Sequence, residues 1–213
     1  MAAINDQYIQ VVTPGEFILK ERRSTFIAQA FPVITPEMVR TALYDVSRRY
    51  PDARHSCWGY RLGYPETSTH CSDDGEPSGS AGRPILGAIV QADIYDVIVI
   101  VTRYFGGVKL GVRGLIDAYS EAASAALTRC TFREAVATTA FSFKTTYDRY
   151  GDVLHHLTSF GLPEASVHPH FSEIVDVKMD VPLSLEISMT QLLNNLKNRS
   201  LVSTWEQNSR VST

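Results

Sequence analysis

The 213-residue sequence predicts an α+β protein of two domains, 1–131 and 132–213. Three observations predict it. Val97-Ile98-Val99-Ile100-Val101 is apolar at every position, the pattern of a strand covered on both faces. The hydrophobic pattern resets between Cys130 and Ala135. After the reset, strand and helix patterns follow in the order β-α-β-β-α-β, which is that of a ferredoxin-like domain.

In the first domain, Glu16 to Arg22 and Thr25 to Phe31 read as strands, with a turn at Arg23-Ser24. Thr35-Pro36-Glu37 is a helix start: a hydroxyl cap, proline at the first helical position and an acid in the first turn. Met38, Val39, Ala42, Leu43 and Val46 then recur at helical spacing, and Pro51 ends the run. Arg54 to Leu62 alternates as a strand, with His55, Cys57 and Gly59 on one face and Trp58 and Tyr60 on the other. Gly63 to Ser72 is polar and reads as a loop. Pro84 to Asp93 reads as a helix. The Val97–Val101 strand follows, then a helix from Gly114 to Thr128 whose alanines allow close packing on a sheet.

In the second domain, Val136 to Thr145 is a strand and Tyr147 to Phe160 a helix stopped by Gly161. Glu164 to Phe171 is a strand. Val175, Val177, Met179 and Val181 alternate with Asp176, Lys178 and Asp180, as in a half-buried antiparallel strand. Ser184 is expected to cap the next helix, which carries Leu185, Met189, Leu192, Leu193 and Leu196. Leu201 to Trp205 closes the series, and Glu206 to Thr213 is a polar tail.

The net charge of −3 argues against a non-specific nucleic-acid binder. There are 13 basic and 14 acidic residues up to Thr131, and 7 and 9 after it, so neither part has a basic excess. Any contact with RNA has to come from a local patch. The stretch Val97 to Ile116 supplies one, with Arg103, Lys109 and Arg113 and no acid. Three cysteines without a CxxC fit reduced thiols, and the first residues show no signal-peptide pattern. A cytoplasmic protein without membrane contact is the expectation.

The chemistry concentrates in two glycine-rich loops. The first runs Asp73-Asp74-Gly75-Glu76-Pro77-Ser78-Gly79-Ser80-Ala81-Gly82-Arg83-Pro84-Ile85, and the second occupies Val101 to Leu115. A strand that ends in glycines and cations and then opens a helix gathers N–H groups and positive charge at one place, the physics of an anion site. Arg103 and Lys109, with the backbone from Gly106 and Gly107 to Gly111, are the candidate phosphate contacts. Arg113, Tyr104, Ser78, Gly79 and Arg83 complete the candidate face. The loop is neither a Walker A nor a Rossmann turn, because Val112-Arg113 follows Gly111 and GxGxxG is absent. Its alternative is structural: cations paired with Asp73, Asp74 and Glu76. Those three carboxylates are weak candidates for Mg²⁺, and the alternative for them is a turn. His55, Cys57, His70 and Cys71 have poor spacing for zinc. Tyr60, Tyr64 and Tyr104 are candidates for stacking on bases; Phe105 reads as ordinary core packing.

These two loops resemble the signatures of the YigZ/Impact family, and the resemblance extends from about Ser24 to Ala123. It implies a first domain like domain IV of elongation factor G and a second like its domain V. It also implies a role associated with translation, since eukaryotic relatives are linked to translation control under stress. The chain departs from the family pattern at Ser56, where asparagine is usual, at Arg113, a glycine position, and at Asp117, an arginine position. The first expectation is a non-catalytic regulator without cofactor that contacts RNA, the ribosome or a translation factor, with no DNA sequence readout. The alternatives are an Mg-dependent phosphate-ester or nucleotide-processing enzyme and a protein–protein interaction module.

Overall fold

A computed structural model of the chain describes residues 5–208. Its contacts divide the chain into two compact units. Tyr8–Ala135 form one; Val136 onward, with the residues before Tyr8, form the other.

The first unit is built from β1 (Gln7–Thr13), β2 (Gly15–Glu21), β3 (Ser24–Pro32), α1 (Pro36–Arg49), β4 (His55–Leu62), β5 (Ser68–Ser72), α2 (Gly82–Gln91), β6 (Ile94–Tyr95), β7 (Val97–Tyr104), α3 (Gly111–Leu127) and β8 (Thr131–Val136). Strand β8 lies across the expected boundary at 131/132. Five strands form an antiparallel sheet in the order β2-β3-β7-β4-β5. A smaller sheet has the order β6-β1-β8. The apolar run sits in β7, at the centre of the large sheet. Val97, Val99 and Val101 enter the core shared with Ile85 and Ile89 of α2 and Tyr119 and Ala122 of α3. Ile98 and Ile100 enter the opposite core with Val39 and Val46 of α1. Both faces are covered, which is why no position of the run tolerates a polar side chain.

Local chemistry explains the element ends. The Thr35 hydroxyl accepts a hydrogen bond from Met38 N at 3.3 Å, as the capping pattern predicts. The β2–β3 turn falls on Arg22 and Arg23, one residue earlier than expected. Both have positive φ, 44° and 66°, as a tight two-residue hairpin demands. The buried Asp96 carboxylate accepts from Gln10 Nε2 at 2.8 Å, Tyr8 Oη at 3.3 Å and Gly63 N at 2.9 Å. It thereby ties β1 to the chain just after β4.

The second unit contains β9 (Thr138–Thr145), α4 (Tyr147–Phe160), β10 (Val167–Phe171), β11 (Val175–Pro182), α5 (Glu186–Asn198) and β12 (Thr204–Gln207). All pairs are antiparallel and the sheet order is β10-β11-β9-β12. With the β-α-β-β-α-β succession this is the ferredoxin-like arrangement. Phe141, Phe143, Val177 and Met179 pack beneath Val153 and Leu157 of α4 and Met189 and Leu193 of α5. Gly161 ends α4 at φ 103°, the left-handed conformation glycine adopts without strain. Ser184 does not cap α5. Its N–H and hydroxyl bind the Asp6 carboxylate instead, and Leu185 stands at the cap position. Part of the polar tail joins β12, and residues 209–213 lie outside the described residues. No helix among the described residues is long and apolar enough to cross a membrane.

Candidate anion-binding site at the glycine loops

The site forms where β4 begins and β7 ends. These strands run antiparallel with His55 opposite Arg103, so the register itself brings the two loops together. A cavity of about 460 Å³ opens there. Arg54, His55, Glu76, Pro77, Arg103 and Phe105 line one part, and Lys109, Leu110, Gly111, Val112 and Leu115 the rest. Helix α3 starts three residues earlier than its pattern suggests, so its first residues, Gly111 and Val112, form part of the wall.

The floor is an ion pair. Arg103 Nη1 lies 2.6 Å from Glu76 Oε1, and the two side chains are 8% and 5% exposed. Tyr119 Oη donates to the same carboxylate oxygen at 2.9 Å. Cys57 Sγ lies 3.4 Å from Tyr119 Oη and 2.9 Å from the Asp73 carbonyl oxygen. Burial pushes the Cys57 thiol up to about 12, and it also raises the Tyr119 phenol. The guanidinium carbon of Arg103 sits 5.4 Å from the ring centres of both Phe26 and Phe105. Its Nη2 reaches Ser24 Oγ at 3.4 Å, while its buried Nε has no hydrogen-bond partner among the described residues.

The three carboxylates of the first loop do not converge. Asp73 accepts from the backbone N–H groups of Gly79 at 2.7 Å, Ala81 at 3.0 Å and Gly82 at 2.8 Å. Partial burial opposes its ionisation, but these N–H bonds outweigh that and hold its carboxyl below the usual range. Asp74 accepts from Ser56 N at 2.6 Å, and its carbonyl accepts from His55 Nδ1 at 2.7 Å. Glu76 faces Arg103. Among the described residues no group of three His, Cys, Asp or Glu side chains is placed to hold a metal ion.

The remaining candidates separate into two groups. Lys109 is exposed on the cavity, without an ion pair or hydrogen bond among the described residues. Gly106 and Gly107 shape the loop. A Cβ at Gly106 would stand 1.9 Å from the Arg23 carbonyl oxygen, and Gly107 has φ 86°. The other candidates lie outside the lining. Tyr104 follows Arg103 on β7 and so takes the opposite face of the sheet. Arg113 pairs with Asp117 one turn along α3, Nε to Oδ1 at 3.1 Å. Ser78 and Arg83 are exposed on the first loop and the start of α2, and Gly79 spends its N–H on Asp73. Phe105, expected in the core, is 54% exposed on the cavity wall. Arg54 is absent from the expected set. It lines the cavity, is exposed and has no ion pair among the described residues. Its signal in the sequence is its place beside His55, visible only once β4 is known to pair with β7.

Residues 22–127, which contain both loops, match the Impact N-terminal domain. The chain is 34% identical over 138 residues to the IMPACT family member YigZ of Escherichia coli, a match covering 64% of this chain and 66% of the relative. It is 36% identical over 120 residues to YvyE of Bacillus subtilis, covering 56% and 55%. The chain belongs to the Impact family. The matched region thus spans between about half and two thirds of these relatives. Beyond the Impact domain, the whole fold is shared with a solved hypothetical protein at a TM-score of 0.67, covering 99% of this chain and 100% of that one at 21% identity. The two glycine loops, with Arg54 and His55 where β4 begins, build the cavity.

Proposed function

We propose that this Impact protein is a non-catalytic, translation-associated regulator of the cytoplasm that contacts RNA, free or in the ribosome, through the glycine-loop cavity. One observation carries the reading. Arg54 and Lys109 stand exposed on the cavity without acidic partners among the described residues, while the one acid of the lining, Glu76, is neutralised by Arg103. In a chain of net charge −3, this is a local positive site beside the N-terminus of a helix. Family membership supports the translation context. Asp73, Asp74 and Glu76, the carboxylates on which the enzymatic alternative rests, are each engaged by separate protein partners, which favours the binding reading. The cavity's histidine is held through Nδ1 by the Asp74 carbonyl.

The test is binding to RNA and to ribosomes across a salt series. Lys109→Ala and Arg54→Ala are each expected to weaken binding and to lower the salt slope by about one unit. Asp180→Lys, in the second unit, is expected to leave the slope unchanged. Wild-type binding by both alanine variants would overturn the reading.

A further inference from the structure

The cavity has more than charge. A duplex offers a protein mainly its outward phosphates, and a flat basic patch suffices to meet them. Here the cations border a concavity of about 460 Å³ whose walls include Phe105, Leu110, Val112, Leu115 and Pro77. That volume is in the range of pockets that enclose a small organic molecule, roughly 300–1,000 Å³, and exceeds what a phosphate group alone needs. Phe105 is 54% exposed, with the Arg103 guanidinium packed against its ring. A half-exposed aromatic ring on a cavity wall, with a guanidinium beside it, is a candidate stacking platform. At the floor, Arg103 is 8% exposed on its side chain, lines the cavity and has an Nε–H without a partner among the described residues. Buried donors are nearly always satisfied, so this one stands out beneath the cavity.

We propose that the cavity receives a single unstacked nucleotide of single-stranded RNA, its base against Phe105 and its phosphate beside Lys109, Arg54 and the N-terminus of α3. This rests on the preceding reading that RNA is the partner and specifies which form of it is bound. Stacking on one ring is tolerant of base identity, so the site selects for strandedness rather than sequence. Glu76 also lines the cavity, but its charge is already taken up by Arg103 and Tyr119, so it does not repel the phosphate strongly.

The experiment compares a short labelled oligouridylate, its DNA counterpart and an RNA duplex of equal length, on the full chain at one salt concentration. The single strands are expected to bind more tightly than the duplex. Phe105→Ala is expected to weaken single-strand binding about tenfold, with the salt slope unchanged and duplex binding unaffected. Phe105→Trp is expected to keep or strengthen it, which separates loss of stacking from loss of fold. Equal affinity for duplex and single strand, or wild-type single-strand binding by Phe105→Ala, overturns the inference while leaving the charge-based reading standing. Absence of binding both to naked nucleic acid and to ribosomes overturns both. Ribosome binding that persists without single-strand binding overturns the single-nucleotide inference alone.

Discussion

Arg103 and Glu76 meet at 2.6 Å with both side chains almost wholly buried, and among the described residues neither forms an ion pair with any other group. Breaking one side of such a pair leaves an uncompensated buried charge, which costs about 3–5 kcal/mol. Arg103→Met is therefore expected to lower the denaturant midpoint by that equivalent. Adding Glu76→Gln is expected to recover at least about 1 kcal/mol, because the amide carries no charge and can still accept from Tyr119. Equilibrium unfolding of the two single variants and the double variant checks this. Additive losses would show that the pair does not act as a unit.

Asp73 ties the first glycine loop to the start of α2 through three backbone N–H groups. Its folded carboxyl titrates below the ordinary value, so its contribution is fully present above about pH 4 and is lost as pH falls through the lowered folded value. Asp73→Asn is expected to cost about 2–3 kcal/mol near neutrality, since at least one N–H loses its acceptor. The gap between variant and wild type is expected to shrink in acid. Unfolding curves at neutral pH and below pH 4 read the difference directly, and a gap that stays constant would remove the carboxylate from the account.

The three thiols are expected to react at very different rates. Cys57 is buried with its thiol pushed up to about 12, and Cys130 is buried with its thiol pushed up to about 11. Cys71, on the edge strand β5, is partly exposed. At mildly alkaline pH one thiol equivalent is expected to label quickly in the native protein and the other two only on unfolding. Cys71→Ser is expected to abolish the fast phase. A fast phase that survives this substitution would place a reactive thiolate inside the core.

Much of the fold is legible from residue pattern alone, because the relevant constraints are local. The uninterrupted apolar run at Val97–Val101 requires cover on two sides, and α1 and the α2–α3 pair provide it. The strict alternation through Val175–Val181 likewise declares one buried face. What escapes such reading depends on partners distant in sequence. Strand β5, Ser-Thr-His-Cys-Ser, has no alternation and exists because β4 offers it an edge. Strands β1 and β8 border one another in a sheet that joins the two ends of the first unit. The candidate site divides in the same way. Lys109 and the glycines are legible as a basic loop. The fate of Arg103 is legible only as the structural alternative, a cation paired with an acid of the first loop; that Glu76 is the acid opposite it is set in space. Arg54 and Phe105 are missed for the same reason, since strand register rather than composition places them on the cavity.

The contact between Asp6 and Ser184 spans 178 residues. Asp6 also offers its carbonyl to Ala137 N at 2.8 Å, so the segment just before β1 is stitched into the second unit. During synthesis the first unit has all its strands once β8 has left the exit tunnel, and domains generally fold as they emerge. The Asp6 carbonyl finds Ala137 just after β8, but its carboxylate must wait until Ser184 is made. Closing so long a loop is slow but adds little further entropic cost with length. The order of events on the ribosome is thereby written into the topology: the glycine-loop unit is complete while the Asp6 carboxylate is still waiting for Ser184, just before α5, to arrive.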